Sequence, residues 1–293
     1  MDLTRILEII LPIFLIAFAG YLFRRFRKID LKTLADLIIY VSAPAMALTL
    51  LSKQQMSLKE ISTIIFSAAF VILAVGAISL LIFKALRIRV PAGAYLPIMF
   101  MNSGFIGYPL ALFLFGEVGF SRAIVYDITN AALIFTLGIY ILTRGKDRWQ
   151  IFKMPFIYAA LLGIFLAASG IKIPALLFSP LYMIGGTTIP LALFLIGCRL
   201  ATINISSWKI PFIASSLRLG LGLGLGLLIV FLFKIGGNLG KIIILSSSLP
   251  SAITTIAIAE EYNADTEEVA SIIAISTLLG IITIPLVLNW FVV

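Results

Sequence analysis

The sequence predicts an all-α polytopic membrane protein with ten transmembrane helices, and three observations lead to this fold class. Of the 293 residues, 61% are hydrophobic and only 12% are charged. Polar residues this scarce cannot cover the surface of a soluble domain. Apolar stretches of about 20 residues, the length that crosses a bilayer, follow one another with short polar breaks. The basic residues cluster in those breaks, as is typical of membrane topology.

The spans follow in order along the chain, and charged or turn-forming residues separate them. They are expected near residues 5–23, 31–51, 61–83, 91–115, 121–143, 155–170, 175–198, 210–233, 241–260 and 268–291. The first basic run follows the first span, whereas a signal peptide carries its basic residues before the apolar stretch. The first span is therefore expected to remain in the protein.

The basic residues are divided unequally between the two sides of the membrane. The breaks after odd-numbered spans carry 14 of the 22 Lys and Arg residues, the other side carries 7, and Arg218 lies inside the eighth span. Because cytoplasmic loops are enriched in basic residues, both termini are expected outside a plasma (inner) membrane. The net charge of +9 then reflects topology, and no nucleic-acid partner is expected.

Two short matches indicate an internal duplication. Pro44 in the second span and Pro190 in the seventh lie in similar segments 146 residues apart, and Phe115 and Tyr262 open a second pair at an offset of 147. Each half would hold five spans, so the halves would enter the membrane with opposite orientation, as in many secondary transporters. The repeats are predicted as residues 1–147 and 148–293.

Helix-breaking and polar residues fall near the middle of the fourth span, around Asn102 to Pro109, and of the ninth, around Ser246 to Thr255. Backbone groups freed in a bilayer are tolerated where protein or a water-filled cavity satisfies them. Two broken helices in matching positions therefore indicate a central site, where half-helix N-termini hold an anion. The alternative is a pair of kinked helices whose Ser and Thr side chains bond their own backbone.

Asp127 and Arg218 are charged residues within predicted spans. Asp127 lies one turn from Asn130 on one face of the fifth span, and the pair is predicted to be a coupling site for H⁺ or Na⁺; an interfacial carboxylate that water reaches is the alternative. Arg218 is predicted either to attract the organic anion or to have a structural role.

The composition excludes several kinds of chemistry. The chain has no His and one Cys, which removes Ser-His-Asp and Cys-His catalysis, zinc sites and an internal disulfide. We therefore expect no enzyme, no metal site and no cofactor besides a coupling ion. A channel is an alternative to a carrier. The run of alternating glycines from Gly220 to Gly226 indicates close helix packing or, alternatively, a homodimer contact in the lipid bilayer.

The segments 102–110, 249–254 and 261–263, with Ser42-Ala-Pro44 and Leu217-Arg218-Leu, resemble the motifs of the auxin efflux carrier family, in the superfamily of bile-acid and arsenite transporters. The resemblance covers essentially the whole chain. It implies ten helices in two inverted repeats, with broken helices 4 and 9 crossing at the prolines. It also implies a scaffold of residues 1–52 with 154–202, a transport domain of residues 57–143 with 207–293, and elevator-type alternating access.

The resemblance further implies an organic anion held near the crossover. The substrate contacts it suggests are Asn102, Ser103, Gly104, Pro109, Ser248, Pro250, Ser251 and Thr254. The chain lacks the long central loop of plant carriers and the acidic residue of their third span, so it looks more like prokaryotic members associated with dicarboxylates such as malate or malonate. The predicted function is thus a secondary transporter of a dicarboxylate or an auxin-like carboxylate. The alternative is a sodium-coupled symporter of the bile-acid type, with Asp127, Asn130, Glu260 and hydroxyls of the ninth span as ligands.

Overall fold

A computed structural model describes residues 3–54, 56–143, 150–203 and 208–292. Within these ranges the chain is helical, and its one extended pairing is an isolated antiparallel bridge between Met101 and Ser251. The prediction of an all-α chain is confirmed. The predicted boundary between the repeats, at residues 147 and 148, lies outside the described residues.

Fourteen α-helices are numbered here in chain order. The first seven are Leu3–Phe26 (α1), Leu31–Leu37 (α2), Ala43–Leu51 (α3), Leu58–Ala85 (α4), Tyr95–Met99 (α5), Gly107–Leu133 (α6) and Ile139–Thr143 (α7). The others are Pro155–Ser169 (α8), Ala175–Gly186 (α9), Thr188–Leu200 (α10), Lys209–Leu232 (α11), Gly237–Ser247 (α12), Thr254–Glu261 (α13) and Thr266–Val287 (α14). Short π-helical segments, Ile38–Ser42 and Ile134–Gly138, connect α2 to α3 and α6 to α7 without a break.

In the part of the chain that the structure describes, six helical segments are long and apolar enough to cross a membrane, judged by length and composition. They are Leu31–Leu51, Leu58–Ala85, Gly107–Thr143, Ala175–Leu200, Lys209–Leu232 and Thr266–Val292. A shorter apolar helix is Pro155–Ser169. These segments support the prediction of a multi-pass membrane protein.

Local sequence signals explain several helix boundaries. The side chain of Asp30 accepts hydrogen bonds from the first backbone N–H groups of α2. Ser57 and Glu60 form a capping box at the start of α4, in which each side chain accepts from the other's backbone. Gly116 adopts φ 63° and ψ −164° inside α6, a conformation that suits glycine. The kink separates the part of α6 that leaves the crossover from the part that carries Asp127.

Glycines bring α1 and α10 into close contact. A Cβ at Gly20 would overlap the carbonyl oxygen of Phe194, and a Cβ at Gly197 would overlap the carbonyl oxygen of Ala17. The buried thiol of Cys198 donates to the carbonyl oxygen of Gly20 at 3.2 Å. The two helices therefore pack as one unit, because no side chain separates their backbones at these points.

The alternating glycines of α11 have two different surroundings. A Cβ at Gly222 would overlap the carbonyl oxygen of Ser247 on α12, and a Cβ at Gly226 would lie 2.8 Å from the Cβ of Ser247. A Cβ at Gly220 or Gly224 would meet nothing within 4 Å. Two of the four glycines thus allow close packing between α11 and α12, in agreement with the prediction of close helix packing.

Candidate functional site

The chain leaves helical geometry between α5 and α6 and again between α12 and α13, and the two interruptions touch. The backbone N–H of Asn102 donates to the carbonyl oxygen of Pro250 at 2.8 Å, and the N–H of Ala252 donates to the carbonyl oxygen of Phe100 at 2.9 Å. Each extended segment thus supplies hydrogen bonds that the other has lost by leaving the helix. Such pairing allows irregular backbone to exist at membrane depth.

Arg218 is fully buried beside this crossover. Its guanidinium donates to the carbonyl oxygen of Met99, at 2.8 Å, and to that of Ser247, which are the last residues of α5 and α12. Carbonyl groups at helix C-termini carry partial negative charge, which a cation stabilises. The geometry therefore supports a structural role, and Arg218 does not line the cavity at the crossover.

Asp127 on α6 accepts hydrogen bonds from two hydroxyl groups, one in the crossover and one at the start of α6. Its Oδ1 accepts from the Oγ of Ser103 at 2.6 Å, and its Oδ2 accepts from the hydroxyl of Tyr108 at 2.7 Å. Asn130 donates from Nδ2 to the Oγ of Ser103 at 3.1 Å and to the carbonyl oxygen of Met101 at 2.8 Å. The predicted pair of Asp127 and Asn130 therefore meets at Ser103.

Gly104 makes room for this carboxylate. A Cβ at Gly104 would lie only 3.1 Å from the Oδ2 of Asp127, so a larger residue would displace it from Tyr108. Tyr108 is not among the site residues predicted from the sequence. A tyrosine in the middle of a span needs a partner for its hydroxyl, and that need is the signal that points to it.

A cavity of about 90 Å³ lies against the crossover. Its polar lining comprises Asn102, Tyr108, Asp127, Asn130, Thr188 and Thr254. Three buried polar atoms of this lining have no hydrogen-bond partner among the residues that the structure describes: the Nδ2 of Asn102, the Oδ1 of Asn130 and the Oγ1 of Thr188. Buried polar groups normally have partners, so a ligand with both donors and acceptors suits this cavity. Thr188, the first residue of α10, is not among the site residues predicted from the sequence.

The cavity continues into a larger vestibule of about 680 Å³. Both are lined by Ile39, Phe105, Phe135, Met154 and Thr254. The vestibule is polar at its mouth, where its charged residues are Lys32, Asp36, Arg199, Glu260 and Glu261. The Nη1 of Arg199 and the Oε1 of Glu260 lie 3.6 Å apart, so that an ion pair joins α10 to α13. The vestibule thus lies on the side of the crossover where α2 begins and α13 ends.

Five predicted substrate contacts lie at the crossover without lining the cavity: Ser103, Pro109, Ser248, Pro250 and Ser251. The Oγ of Ser248 donates to the carbonyl oxygen of Leu245 at 2.8 Å. The N–H of Ser251 donates to the Oγ of Ser276 at 3.1 Å. These contacts lie within the protein, so Asn102, Gly104 and Thr254 are the predicted substrate contacts that face the cavity directly.

The family model described as membrane transport protein matches residues 5–151 and 144–288. The chain belongs to this family. The membership confirms the resemblance to the auxin efflux carrier family seen in the crossover motifs. It also confirms that the protein is a transporter rather than an enzyme.

Two archaeal proteins are similar to this member of the family. An uncharacterized transporter of Methanocaldococcus jannaschii is 28% identical over 303 aligned residues, which cover 96% of this chain and 97% of that protein. An uncharacterized transporter of Methanothermobacter thermautotrophicus is 31% identical over 196 residues, covering 64% of this chain and 63% of that protein. Their names state transport but give no substrate.

Proposed function

We propose that this membrane transporter is a secondary carrier of a small organic anion, which binds in the cavity at the crossover. The observation that carries the proposal is the unpartnered Nδ2 of Asn102, which is 4% exposed and lines the cavity. A buried donor without an acceptor costs free energy, and a carboxylate oxygen of the substrate would supply the acceptor. The N-terminal ends of α6 and α13 lie at the same place and add partial positive charge.

The cavity also restricts the kind of anion. Among its described lining residues there is no Lys or Arg, so hydrogen-bond donors and helix ends, rather than an ion pair, would balance the substrate's charge. The volume of about 90 Å³ favours a short dicarboxylate over an auxin-like aromatic acid. The hydroxyl of Thr188 and the amide oxygen of Asn130 would select substrates that also carry a donor.

The proposed mechanism is elevator-type alternating access by ten spans in two inverted repeats, residues 1–147 and 148–293. The proposed scaffold, residues 1–52 with 154–202, contributes Thr188 to the cavity. The proposed transport domain, residues 57–143 with 207–293, contributes Asn102 and Asp127. A substrate between these residues would lie at the boundary of the two bodies. The two extended segments of the crossover are hydrogen-bonded to each other. This supports a movement in which the crossover, α6 and α13 stay together.

The proposed orientation has both termini outside a plasma (inner) membrane, so that the vestibule opens to the cytoplasm. Single cysteines placed in a Cys198→Ser background test it. A membrane-impermeant thiol reagent should label Asn238→Cys from outside and Phe26→Cys only from inside. Labelling of Phe26→Cys from outside would overturn the orientation.

A counterflow screen in proteoliposomes tests the function itself. Vesicles preloaded with a dicarboxylate, such as malonate or malate, should take up the same labelled acid, with saturation; a channel would give no such accumulation. In the wild type the Oδ1 of Asn102 accepts a hydrogen bond from the N–H of Phe105 at 3.2 Å. Asn102→Asp keeps this acceptor but replaces the unpartnered Nδ2 donor with a negatively charged oxygen. We expect this variant to lose counterflow.

Asn102→Ala removes both roles of the amide and should weaken binding by about 1–3 kcal/mol, the cost of leaving a charged acceptor without its partner. Asn238→Ala, an exposed substitution on α12, is the matched control and should behave as wild type. Counterflow by no organic anion, or wild-type affinity in Asn102→Asp, would contradict the proposal.

We also propose Asp127 as the coupling site, with H⁺ as the ion. The Oγ of Ser103 donates to the ionised carboxylate of Asp127. It also lies 3.5 Å from the carbonyl oxygen of Met101. When Asp127 is protonated, the Ser103 hydroxyl can therefore donate to Met101 and accept a hydrogen bond from the Asp127 carboxyl. A sodium-coupled symporter is the second candidate, because the Oδ1 of Asn130 is unpartnered among the described residues and Na⁺ prefers oxygen ligands. Transport that requires Na⁺ at every pH would favour the second candidate.

A further inference from the structure

An apolar groove runs between the unit of α1 with α10 and the neighbouring helices α6 and α14. It has a volume of about 520 Å³. From α1 it is lined by Leu11, Ile13, Phe14, Leu15, Ala17, Phe18 and Tyr21. Across the groove stand Leu110 on α6 and Ile281 on α14. Tyr21 and Thr277 are the two polar residues among the described residues of its wall.

The groove is concave rather than a flat helix surface. Leu11, Leu15 and Phe18 are each more than half exposed in the protein, whereas Ile13 and Ile284, which also line the groove, are buried. Water would find almost no polar partner in an apolar depression of this kind, so its lining suits an acyl chain. The part of α1 from Leu11 to Tyr21 is about 15 Å long at 1.5 Å per residue, so the groove accepts a chain lying along the helix.

The cytoplasmic end of the groove, in the proposed orientation, is basic. Residues 14, 18, 21 and 25 of α1 recur every three or four positions, which places Arg25 on the groove face one turn beyond Tyr21. The guanidinium of Arg25 lies 5.8 Å from the centroid of the Tyr21 ring, a distance typical of a cation–π contact. Arg25 is exposed and stands where α1 ends.

We propose that this groove is a binding site for an anionic phospholipid, with an acyl chain between α1 and α14 and the phosphate against Arg25. The apolar lining recognises the chain, and the basic mouth recognises the headgroup charge. A lipid in this place contacts both the α1–α10 unit and α14. The lipid would therefore shift the equilibrium toward the arrangement of these helices that binds the lipid more tightly. The proposal does not depend on the identity of the transported substrate.

The test measures lipid binding to the purified full-length protein by native mass spectrometry, with palmitoyl-oleoyl phosphatidylglycerol against the zwitterionic phosphatidylcholine of equal chain length. Wild type should bind phosphatidylglycerol preferentially. Arg25→Gln should weaken that binding about fivefold, since one basic residue near an anionic surface contributes about 1 kcal/mol. Ala17→Phe fills the groove and should reduce the binding of both lipids at this site.

Two matched variants control for general effects. Arg27→Gln removes a charge from the same basic run but off the groove face, and Ala19→Phe adds the same ring at an exposed position of α1 that does not line the groove. Both should bind phosphatidylglycerol as wild type does. Equal binding by Arg25→Gln and wild type would overturn the proposal. So would equal losses in Arg25→Gln and Arg27→Gln, because they would indicate a diffuse basic surface. Arg25→Gln decides the question even if Ala17→Phe does not fold.

Discussion

The guanidinium of Arg218 donates a hydrogen bond to the main-chain carbonyl oxygen of Ser247, where α12 ends. A second bond, 2.8 Å long, reaches the carbonyl oxygen of Met99, where α5 ends. One side chain on α11 thus joins the C-terminal ends of both half-helices at the crossover. Gly222, one turn further along α11, leaves space for it, because a Cβ there would overlap the guanidinium.

Arg218→Gln should therefore destabilise the crossover. It leaves buried carbonyl groups short of donors, and each unsatisfied group costs about 1–3 kcal/mol. Arg218→Lys should lose less stability, because it keeps the charge but not the planar fork that reaches two carbonyls at once. The free energy of unfolding in detergent measures both effects. Lys209→Gln, at the exposed start of the same helix, is the control, and wild-type stability in Arg218→Gln would contradict the structural role.

Asp30 gives a pH-dependent prediction outside the spans. A hydrogen bond from the Thr33 side chain and one from the backbone N–H of Lys32 lower the pKa of the Asp30 carboxyl below its ordinary value. A lowered folded-state pKa means that the stabilisation is fully present above the ordinary pKa and is lost as pH falls through the lowered pKa. The cap of α2 should thus weaken in acid.

Asp30→Asn keeps an acceptor at the cap but does not titrate. The melting temperature of wild type minus that of Asp30→Asn should therefore be largest at neutral pH and should shrink as the pH is lowered into the acid range. Both proteins share every other titrating group, so the difference isolates this carboxyl. A difference that does not change with pH would show that the cap does not depend on ionised Asp30.

The breaks in the fourth and ninth spans were predictable because proline, glycine and clustered polar residues have direct backbone consequences. Proline removes a backbone donor, but Pro285 lies inside the continuous helix α14. The break at Pro250 is therefore indicated by the proline together with the serines around it. The partner of Arg218 was not predictable in this way. A charge inside a span can be read from the sequence, but main-chain carbonyl oxygens are the same in every residue, so nothing in the sequence distinguishes those of Met99 and Ser247.

Thr188 shows a second limit of prediction from sequence. Threonine in a membrane helix commonly bonds its own backbone, as Thr49 does at the carbonyl oxygen of Ala45. Whether a given threonine instead faces a cavity depends on how distant helices pack. Asp127 could be singled out from the sequence because a carboxylate in a span is costly without a function, whereas its contact with Tyr108 depends on the kink at Gly116 between them.

Gly104→Ala tests the geometry around this carboxylate. A methyl group 3.1 Å from the Oδ2 of Asp127 forces the carboxylate to shift and weakens its bond to Tyr108. We expect transport to fall about tenfold, which corresponds to about 1.4 kcal/mol, and Tyr108→Phe should give a similar loss. Gly186→Ala is the matched control, since a Cβ there meets nothing within 4 Å. Unchanged transport in both site variants would exclude a role for this hydrogen bond.

The last prediction concerns the coupling role of Asp127. Asn at this position resembles the protonated carboxyl in shape but cannot release a proton. If Asp127 carries the coupling proton, Asp127→Asn should lose net uptake or efflux and its dependence on pH. Exchange of bound substrate should survive, because exchange requires movement of the loaded site only. If the carboxylate merely holds the two parts of α6 and the crossover together through Tyr108 and Ser103, both net transport and exchange should keep the wild-type pH profile.

The deciding measurement is the pH profile of net transport and of exchange, for wild type and Asp127→Asn, with and without Na⁺. Asp36→Asn is the matched control, since this carboxylate lies in the vestibule rather than in the cavity, and it should keep the wild-type profile. If Asp127→Asn loses both exchange and net transport, its defect lies in substrate binding instead of coupling. A proton-coupled carrier does not need Na⁺. If wild-type transport strictly requires Na⁺, the carboxylate of Asp127 and the unpartnered Oδ1 of Asn130 are instead ligands of a sodium site.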